Sequence, residues 1–365
     1  MDPAPTSYDN LCICTNLDSI STLNDDLSFH TGQSSSYLSV THLRGKGLIV
    51  SNFIEVYQYG ESTKDGEVIV KTEWISVDPY LRSFNSMYNP PFDQFSFQIG
   101  EVIESKNSEY PVGIKVVSHI GWCDHGIVKM FDDPLRRPYK LPDLKKLPTS
   151  YGIGAVGMPG ATAYFGFLEV CKPKSGETVV VTGAAGAVGS IVGQIAKIKG
   201  CRVIGFAGTD AKVKWLENEL GFDKAFNYKT VDITKALEEA APKGVDCYFD
   251  NVGGEVSSRI IKQMNTFGRV ACCGSISTYN DDPDKMSKAT VLQQYLVMNQ
   301  IRVEGFIVSR WANEWPKAFD QIIKWIETGQ LKVREHITEG FDKLYDAFVG
   351  VLAGENIGKA VVKVN

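Results

Sequence analysis

Thr178-Val-Val-Val-Thr182-Gly183-Ala-Ala-Gly186-Ala-Val-Gly189 is the stretch from which the rest of the chain can be ordered. Thr178–Thr182 is a continuous apolar run and reads as a strand covered on both faces. Glycines at 183, 186 and 189 follow, and Ser190–Lys199 then reads as a helix. A turn without β-carbons lets the backbone approach a pyrophosphate, whose charge then rests at the positive end of the helix. The spacing is GxxGxxG rather than GxGxxG, so a glycine-rich turn with no ligand is the competing reading. The strand before it and the helix after it favour the phosphate turn.

Working outward, the alternation continues. Arg202–Ala207, Lys224–Asn227, Cys247–Asp250, Arg269–Cys273 and Val303–Val308 read as strands. Thr162–Cys171, Val213–Leu220, Thr234–Ala241, Ser257–Met264 and Trp315–Thr328 read as helices. Strands alternating with helices predict an α/β domain, a doubly wound parallel Rossmann sheet. From Tyr37 to about Val128 the texture is instead strand and turn, with runs at Phe53–Val56, Glu67–Val70, Ile99–Glu104 and Ile114–Ser118. That predicts a small β-barrel or sandwich. Gly340–Asn365 holds a helix and the strand Lys359–Val364, expected to return to the β domain. The resulting division is 1–36 as a polar, mobile extension, 37–155 with 336–365 as the β domain, and 156–335 as the inserted Rossmann domain.

Composition narrows the function classes. A chain of 365 residues with 43% hydrophobic content suits two cores. A net charge of −5 argues against a nucleic-acid partner. No apolar run is long enough for a membrane span, and Met1–Asp18 lacks the pattern of a secretory signal. The cytoplasm is the expected compartment, and the 8 scattered cysteines read as reduced thiols.

The tip of the second strand chooses between cofactors. An NAD enzyme usually carries an acid there for the ribose hydroxyls. Phe206-Ala207-Gly208-Thr209 has none, and Lys212 follows, able to pair with a 2′-phosphate; a merely solvated lysine is the alternative. NADPH is therefore the expected cofactor. Asp250-Asn251-Val252-Gly253-Gly254 ends another strand, where ligands of open α/β sheets sit, although plain turn chemistry explains it equally well.

At this point the chain resembles the zinc-independent prostaglandin reductase (leukotriene B4 12-hydroxydehydrogenase) branch of the medium-chain dehydrogenase/reductase superfamily. The resemblance is carried by Ser76-Val-Asp-Pro-Tyr-Leu-Arg82, Gly157-Met-Pro-Gly-Ala-Thr-Ala-Tyr-Phe-Gly166, Ala185-Gly-Ala-Val-Gly-Ser190, Phe226-Asn-Tyr-Lys-Thr230, Cys247-Tyr-Phe-Asp-Asn-Val-Gly-Gly254, Ile276-Ser-Thr-Tyr-Asn280 and Glu355-Asn-Ile-Gly-Lys359. It implies a GroES-like β domain beside the Rossmann domain, a homodimer, and NADPH-dependent reduction of the carbon–carbon double bond of small hydrophobic enones and enals. It also implies NADPH contacts at Gly186, Ala187, Val188 and Gly189 for the pyrophosphate, and at Lys212 and Tyr228 for the 2′-phosphate. Asn251, Cys273, Ser275, Ser277, Tyr279, Phe306, Val308 and Asn356 are implied around the rest of the cofactor.

One position departs from the family. A tyrosine held to assist the substrate oxygen is expected eight residues before Phe306, where this chain has Met298. Tyr295, one helical turn away, is the candidate catalytic substitute. No metal is expected: the Gly-His-Glu of zinc-dependent relatives is missing, and His119, Cys123, Asp124 and His125 read as a polar loop. Trp122 in that loop is expected to wall the cleft, and Arg82 reads as solvated or structural. An NADPH quinone reductase and a catalytically weak NADPH-binding protein stay open as alternatives.

Overall fold

The alternating faces of the Thr178–Thr182 strand explain why it is apolar throughout. Val179 and Val181 pack into one core with Val192, Ile195 and Phe249, while Val180 packs into a second with Ile204, Tyr248 and Ile260. Full burial of each such side chain contributes about 1.5–3 kcal/mol, so helices must cover both faces. The computed structural model describes residues 39–40, 54–55, 63–85, 94–128, 130–131, 133–281 and 290–364. The polar extension predicted over 1–36 lies outside them.

In chain order the strands are β1 (Ser39–Val40), β2 (Ile54–Glu55), β3 (Val68–Val77), β4 (Gln98–Ser105), β5 (Lys115–Ser118), β6 (His125–Val128), β7 (Tyr139–Lys140), β8 (Thr178–Thr182), β9 (Arg202–Ala207), β10 (Lys224–Asn227), β11 (Val245–Asp250), β12 (Met264–Cys272), β13 (Arg302–Gly305), β14 (Glu335–Glu339) and β15 (Lys359–Lys363). The helices are α1 (Tyr80–Asn85), α2 (Met158–Phe165), α3 (Ala187–Ile198), α4 (Asp210–Asn218), α5 (Ile233–Ala240), α6 (Gly254–Ile261), α7 (Gln293–Met298), α8 (Trp315–Glu327) and α9 (Leu344–Ala353).

β8 to β13 form one parallel sheet in the order β10-β9-β8-β11-β12-β13. This is the doubly wound Rossmann order, and it reverses direction between β8 and β11. A second sheet runs β14-β15-β3-β4-β5-β7, with β6 also on β3. β15 pairs antiparallel with β3, so the C-terminal strand joins this second sheet. β1 and β2 make a separate antiparallel pair.

Two expectations shift, and one strand was not foreseen. The helix expected over Thr162–Cys171 begins earlier, at Met158 with Pro159 in its first turn, and gives way to a π turn over Gly166–Cys171. The strand expected over Val303–Val308 stops at Gly305, because Val308 opens a 3-10 segment and is buried beneath Trp315, whose indole donates to its carbonyl. β14 had no strand signal, since its residues are mostly exposed and do not alternate.

Candidate functional site

A cleft of about 1070 Å³ opens beyond the carboxyl ends of β8 and β11, the switch point of the parallel sheet, and continues between the two sheets. Its floor is the glycine turn. Gly183 takes φ +58°, and a β-carbon on Gly189 would lie 2.4 Å from the Gly183 carbonyl oxygen. The first glycine makes the bend and the third lets α3 press against it. A β-carbon on Gly186 would meet only the Gly183 oxygen, at 3.2 Å, so this residue leaves room toward the cleft. α3 starts there with no side-chain cap, leaving its first amides to an anionic ligand.

The tip of β9 is cationic. Lys212 is buried at the start of α4, where Thr209 caps the helix, and its ammonium donates to the Gly354 carbonyl at 2.7 Å. Burial first, then the charge of Lys229, pulls the Lys212 pKa down. Among the described residues no carboxylate lies within ion-pair distance of Lys212 or Lys229. Tyr228 and Gly208 complete this corner of the lining. Two lysines without an acid, beside an uncapped helix start, make a donor set that fits a dinucleotide carrying an extra phosphate.

Asp250 and Asn251, equally readable as turn or ligand residues, divide the two tasks. Asp250 is buried and accepts from the Tyr248 hydroxyl at 2.8 Å and from the amides of Val252 and Gly253 at 2.9 Å, so it builds the turn. Asn251 donates to the Thr182 carbonyl at 2.7 Å and lines the cleft. Cys273 lines it too; burial, then Asp250, pushes its thiol up to about 12, which keeps it protonated and rules against a nucleophile. Tyr279 presents a hydroxyl that accepts from the Ser275 amide at 3.3 Å. The Phe306 ring stands where a β-carbon on Gly166 would be, 2.2 Å from its nearest carbon, so the π turn carries a glycine to admit it.

Gly186, Ala187, Val188, Gly189, Lys212, Tyr228, Asn251, Cys273, Ser277, Tyr279, Phe306, Val308 and Asn356 thus share one cleft. Two of the residues expected there do not. The Ser275 hydroxyl turns to Thr278 at 2.8 Å. Tyr295 sits on α7 with the Lys262 ammonium 5.5 Å from its ring centre, and no residue of α7 is in the lining. Met298 on the same short helix is 73% exposed. Trp122 is also corrected: it is buried edge-on against Phe348 in the β-domain core. Arg82 donates to Asn280 at 2.8 Å.

The remaining wall carries Phe84, Phe95, Phe97, Leu135, Met158 and Leu352, with Asp78, Asp133 and Arg136 among them. Two buried polar atoms without a hydrogen-bond partner belong to residues of this wall, the Tyr80 hydroxyl and His119 Nδ1. Burial, then the charge of Asp78, holds the Tyr80 pKa well above the usual tyrosine range, so it stays a neutral donor. The signal available in sequence was the position of Tyr80 directly after Asp78-Pro79. His119 sits between Phe95, tilted to it, and Phe97, edge-on to it, with ring centres 5.0 and 4.8 Å away. Cys123 is buried beside Gln98, and His125 stands 3.4 Å from Asp124. Among the described residues no three His, Cys, Asp or Glu side chains are gathered as metal ligands.

Comparison with known proteins agrees with this geometry. A family model described as "Zinc-binding dehydrogenase" matches residues 187–324, and "N-terminal domain of oxidoreductase" matches 51–132. Prostaglandin reductase 1 of Rattus norvegicus is 50% identical over 305 residues, spanning 82% of this chain and 90% of the relative. The NADP(+)-dependent 2-alkenal reductase of Nicotiana tabacum is 39% identical over 308 residues, spanning 82% of this chain and 88% of the relative. The crystal structure of CurA from Vibrio vulnificus in complex with NADPH superposes with a TM-score of 0.80 at 33% identity, over 91% of this chain and 99% of that one. With such identity sustained over almost the whole of its relatives, the chain belongs to the prostaglandin reductase family of the medium-chain dehydrogenase/reductase superfamily.

Proposed function

We propose that the protein reduces the carbon–carbon double bond of small hydrophobic α,β-unsaturated ketones and aldehydes with NADPH. The observation that carries this is the meeting, in one cleft, of a glycine turn open to an anion, the two lysines Lys212 and Lys229, and Tyr80, a lining residue whose hydroxyl has no hydrogen-bond partner. NADPH, when bound, supplies the hydride that reaches the β-carbon. The chain's own residues do the rest. The apolar side chains of the wall bind the substrate and exclude water, and negative charge then gathers on the carbonyl oxygen. Tyr80 is the donor for that oxygen, taking the part first considered for Tyr295. Solvent protonates the α-carbon.

Activity is read as NADPH consumption with a short enal or enone, and a quinone in its place tests the quinone reductase alternative. Tyr80→Phe should lower kcat by about 10²–10³-fold, the worth of one such donor. Tyr295→Phe should leave kcat unchanged. Loss with Tyr295→Phe and none with Tyr80→Phe would return the role to α7.

The β domain is taken as 37–155 with 336–365 and the Rossmann domain as 156–335, supported by the membership of β3–β7 and β15 in one sheet and β8–β13 in the other. The reaction needs no metal, so turnover should survive chelators; the separate surroundings of His119, Cys123 and His125 support this. A cytoplasmic location fits the six free cysteines among the described residues. A homodimer joined at β13 is supported by an open sheet edge beside exposed Val297, Met298, Val303 and Ile307.

A further inference from the structure

Lys359 lies at the start of β15, is 3% exposed, and places its ammonium inside the protein. It donates to the Val77 carbonyl at 2.8 Å, to the Ala360 carbonyl at 2.7 Å and to Asp78 Oδ1 at 3.1 Å. Asp78, also buried, accepts the Ser76 hydroxyl through its other oxygen. The ammonium thus grips the corner where β3 ends, and Tyr80 enters the cleft two residues later. Asp78 and Tyr80 both line that cleft.

The residue before it reaches the opposite wall. The Gly358 amide donates to the Ala185 carbonyl at 2.8 Å, and Gly358 makes a parallel bridge with Gly186 in the glycine turn. Gly358 takes φ +75°, and a β-carbon there would stand 2.0 Å from the Arg334 carbonyl oxygen, so the crossing admits no side chain. Asn356 donates to the Gly358 carbonyl at 2.7 Å and lines the cleft itself. Two consecutive residues therefore hold two walls that belong to different sheets. A hydrophobic side chain in place of Lys359 could fill the space, yet it could not hold three oxygens. A buried charge pair is a costly way to fill a core.

We infer that Lys359 is a positioning residue for the reduction, tying the Asp78–Tyr80 corner of one sheet to the glycine turn of the other so that the Tyr80 hydroxyl stands in register with the cofactor site. This rests on the reading of Tyr80 given above. The link is short and made of charged and backbone groups, so it sets position rather than adding area. Misplacing a reacting group by about 1 Å costs roughly 100-fold in rate.

The test compares wild type, Lys359→Met and the double variant Asp78→Asn with Lys359→Met, each as the full chain. Lys359→Met leaves Asp78 as an unpaired buried charge and should lower Tm; adding Asp78→Asn removes that charge and should restore much of it. NADPH affinity, followed by nicotinamide fluorescence, should stay within about threefold of wild type in the double variant, because the Gly358 contacts remain, while kcat on an enone stays about 10–100-fold down. Recovery of kcat in step with Tm would overturn the inference by reducing Lys359 to a stabilising residue. So would wild-type kcat in Lys359→Met. If wild type itself turns over no enone, the underlying function fails; if Tyr80→Phe is fully active, only the donor role of Tyr80 fails; either outcome takes this inference with it. An active wild type with a fully active double variant sinks the positioning role alone.

Discussion

At the scale of single residues, charge without a partner is what marks the site. Lys212 is held by a backbone carbonyl and not by an acid, so an incoming phosphate does not have to displace a carboxylate. Lys212→Ala should weaken NADPH by about tenfold or more, the worth of a charge-assisted contact of about 1.5–3 kcal/mol. NADH should be nearly unaffected, and fluorescence titration of both cofactors checks it. His119 makes a different prediction. Burial first, and the charge of Arg136 second, lower its pKa from the ordinary 6.5 to about 4. The unfolded chain therefore binds the extra proton at a pH where the folded chain does not. The contribution of His119 to stability is complete above about pH 6.5 and is lost as the pH falls toward about 4. Urea unfolding across that window should give a shallower pH slope for His119→Gln than for wild type; equal slopes would remove His119 as the cause. The place of Lys212 in the cleft was legible because it follows from the strand end alone. The places of Tyr80 and Tyr295 were not, because which tyrosine meets the cleft depends on how α1 and α7 dock.

At the scale of elements, apolar runs that must be covered on both faces are read best. Thr178–Thr182, Arg202–Ala207 and Lys224–Asn227 occur with the limits expected of them. Periodicity says less where a neighbour intervenes. Val308 looks like more strand, yet it leaves the sheet to pack under Trp315. Gly166 looks like mid-helix, yet it opens a π turn beside the Phe306 ring. The junction of β8 with α3 supplies the prediction at this scale. A β-carbon at 189 would press to 2.4 Å from a backbone oxygen, which no rotamer can relieve. Gly189→Val should therefore destabilise the protein by about 1–3 kcal/mol, as overpacking does. It should also weaken NADPH, because the turn must open to admit the side chain. Denaturant unfolding and calorimetric titration read the two effects, and an unchanged affinity would mean that the turn is not the phosphate cradle.

At the scale of the whole molecule, the parallel sheet ends at β13 with Val303 43% exposed. Backbone donors and acceptors left open along such an edge favour pairing with a second copy. Light scattering at micromolar concentration should find wild type as a dimer, and Val303→Asp should move it toward monomer. A wild type that stays monomeric would sink the arrangement. Met298 belongs to this picture: the position reasoned to face the substrate instead lies exposed on α7, beside that edge. The amino-acid sequence by itself determined the two-part architecture, the alternation of strands and helices in the parallel sheet, the glycine turn and the expectation of NADPH. Each of these depends on local pattern, such as period, glycine spacing, or the absence of an acid at a strand tip. The tertiary structure alone decided which tyrosine reaches the cleft, that Ser275 turns away from it, and that Lys359 and Gly358 link its two walls. Those outcomes join residues from about 80 to about 360 through contacts between separate sheets, and side-chain direction across such an interface is set by packing, which no window of neighbouring residues contains.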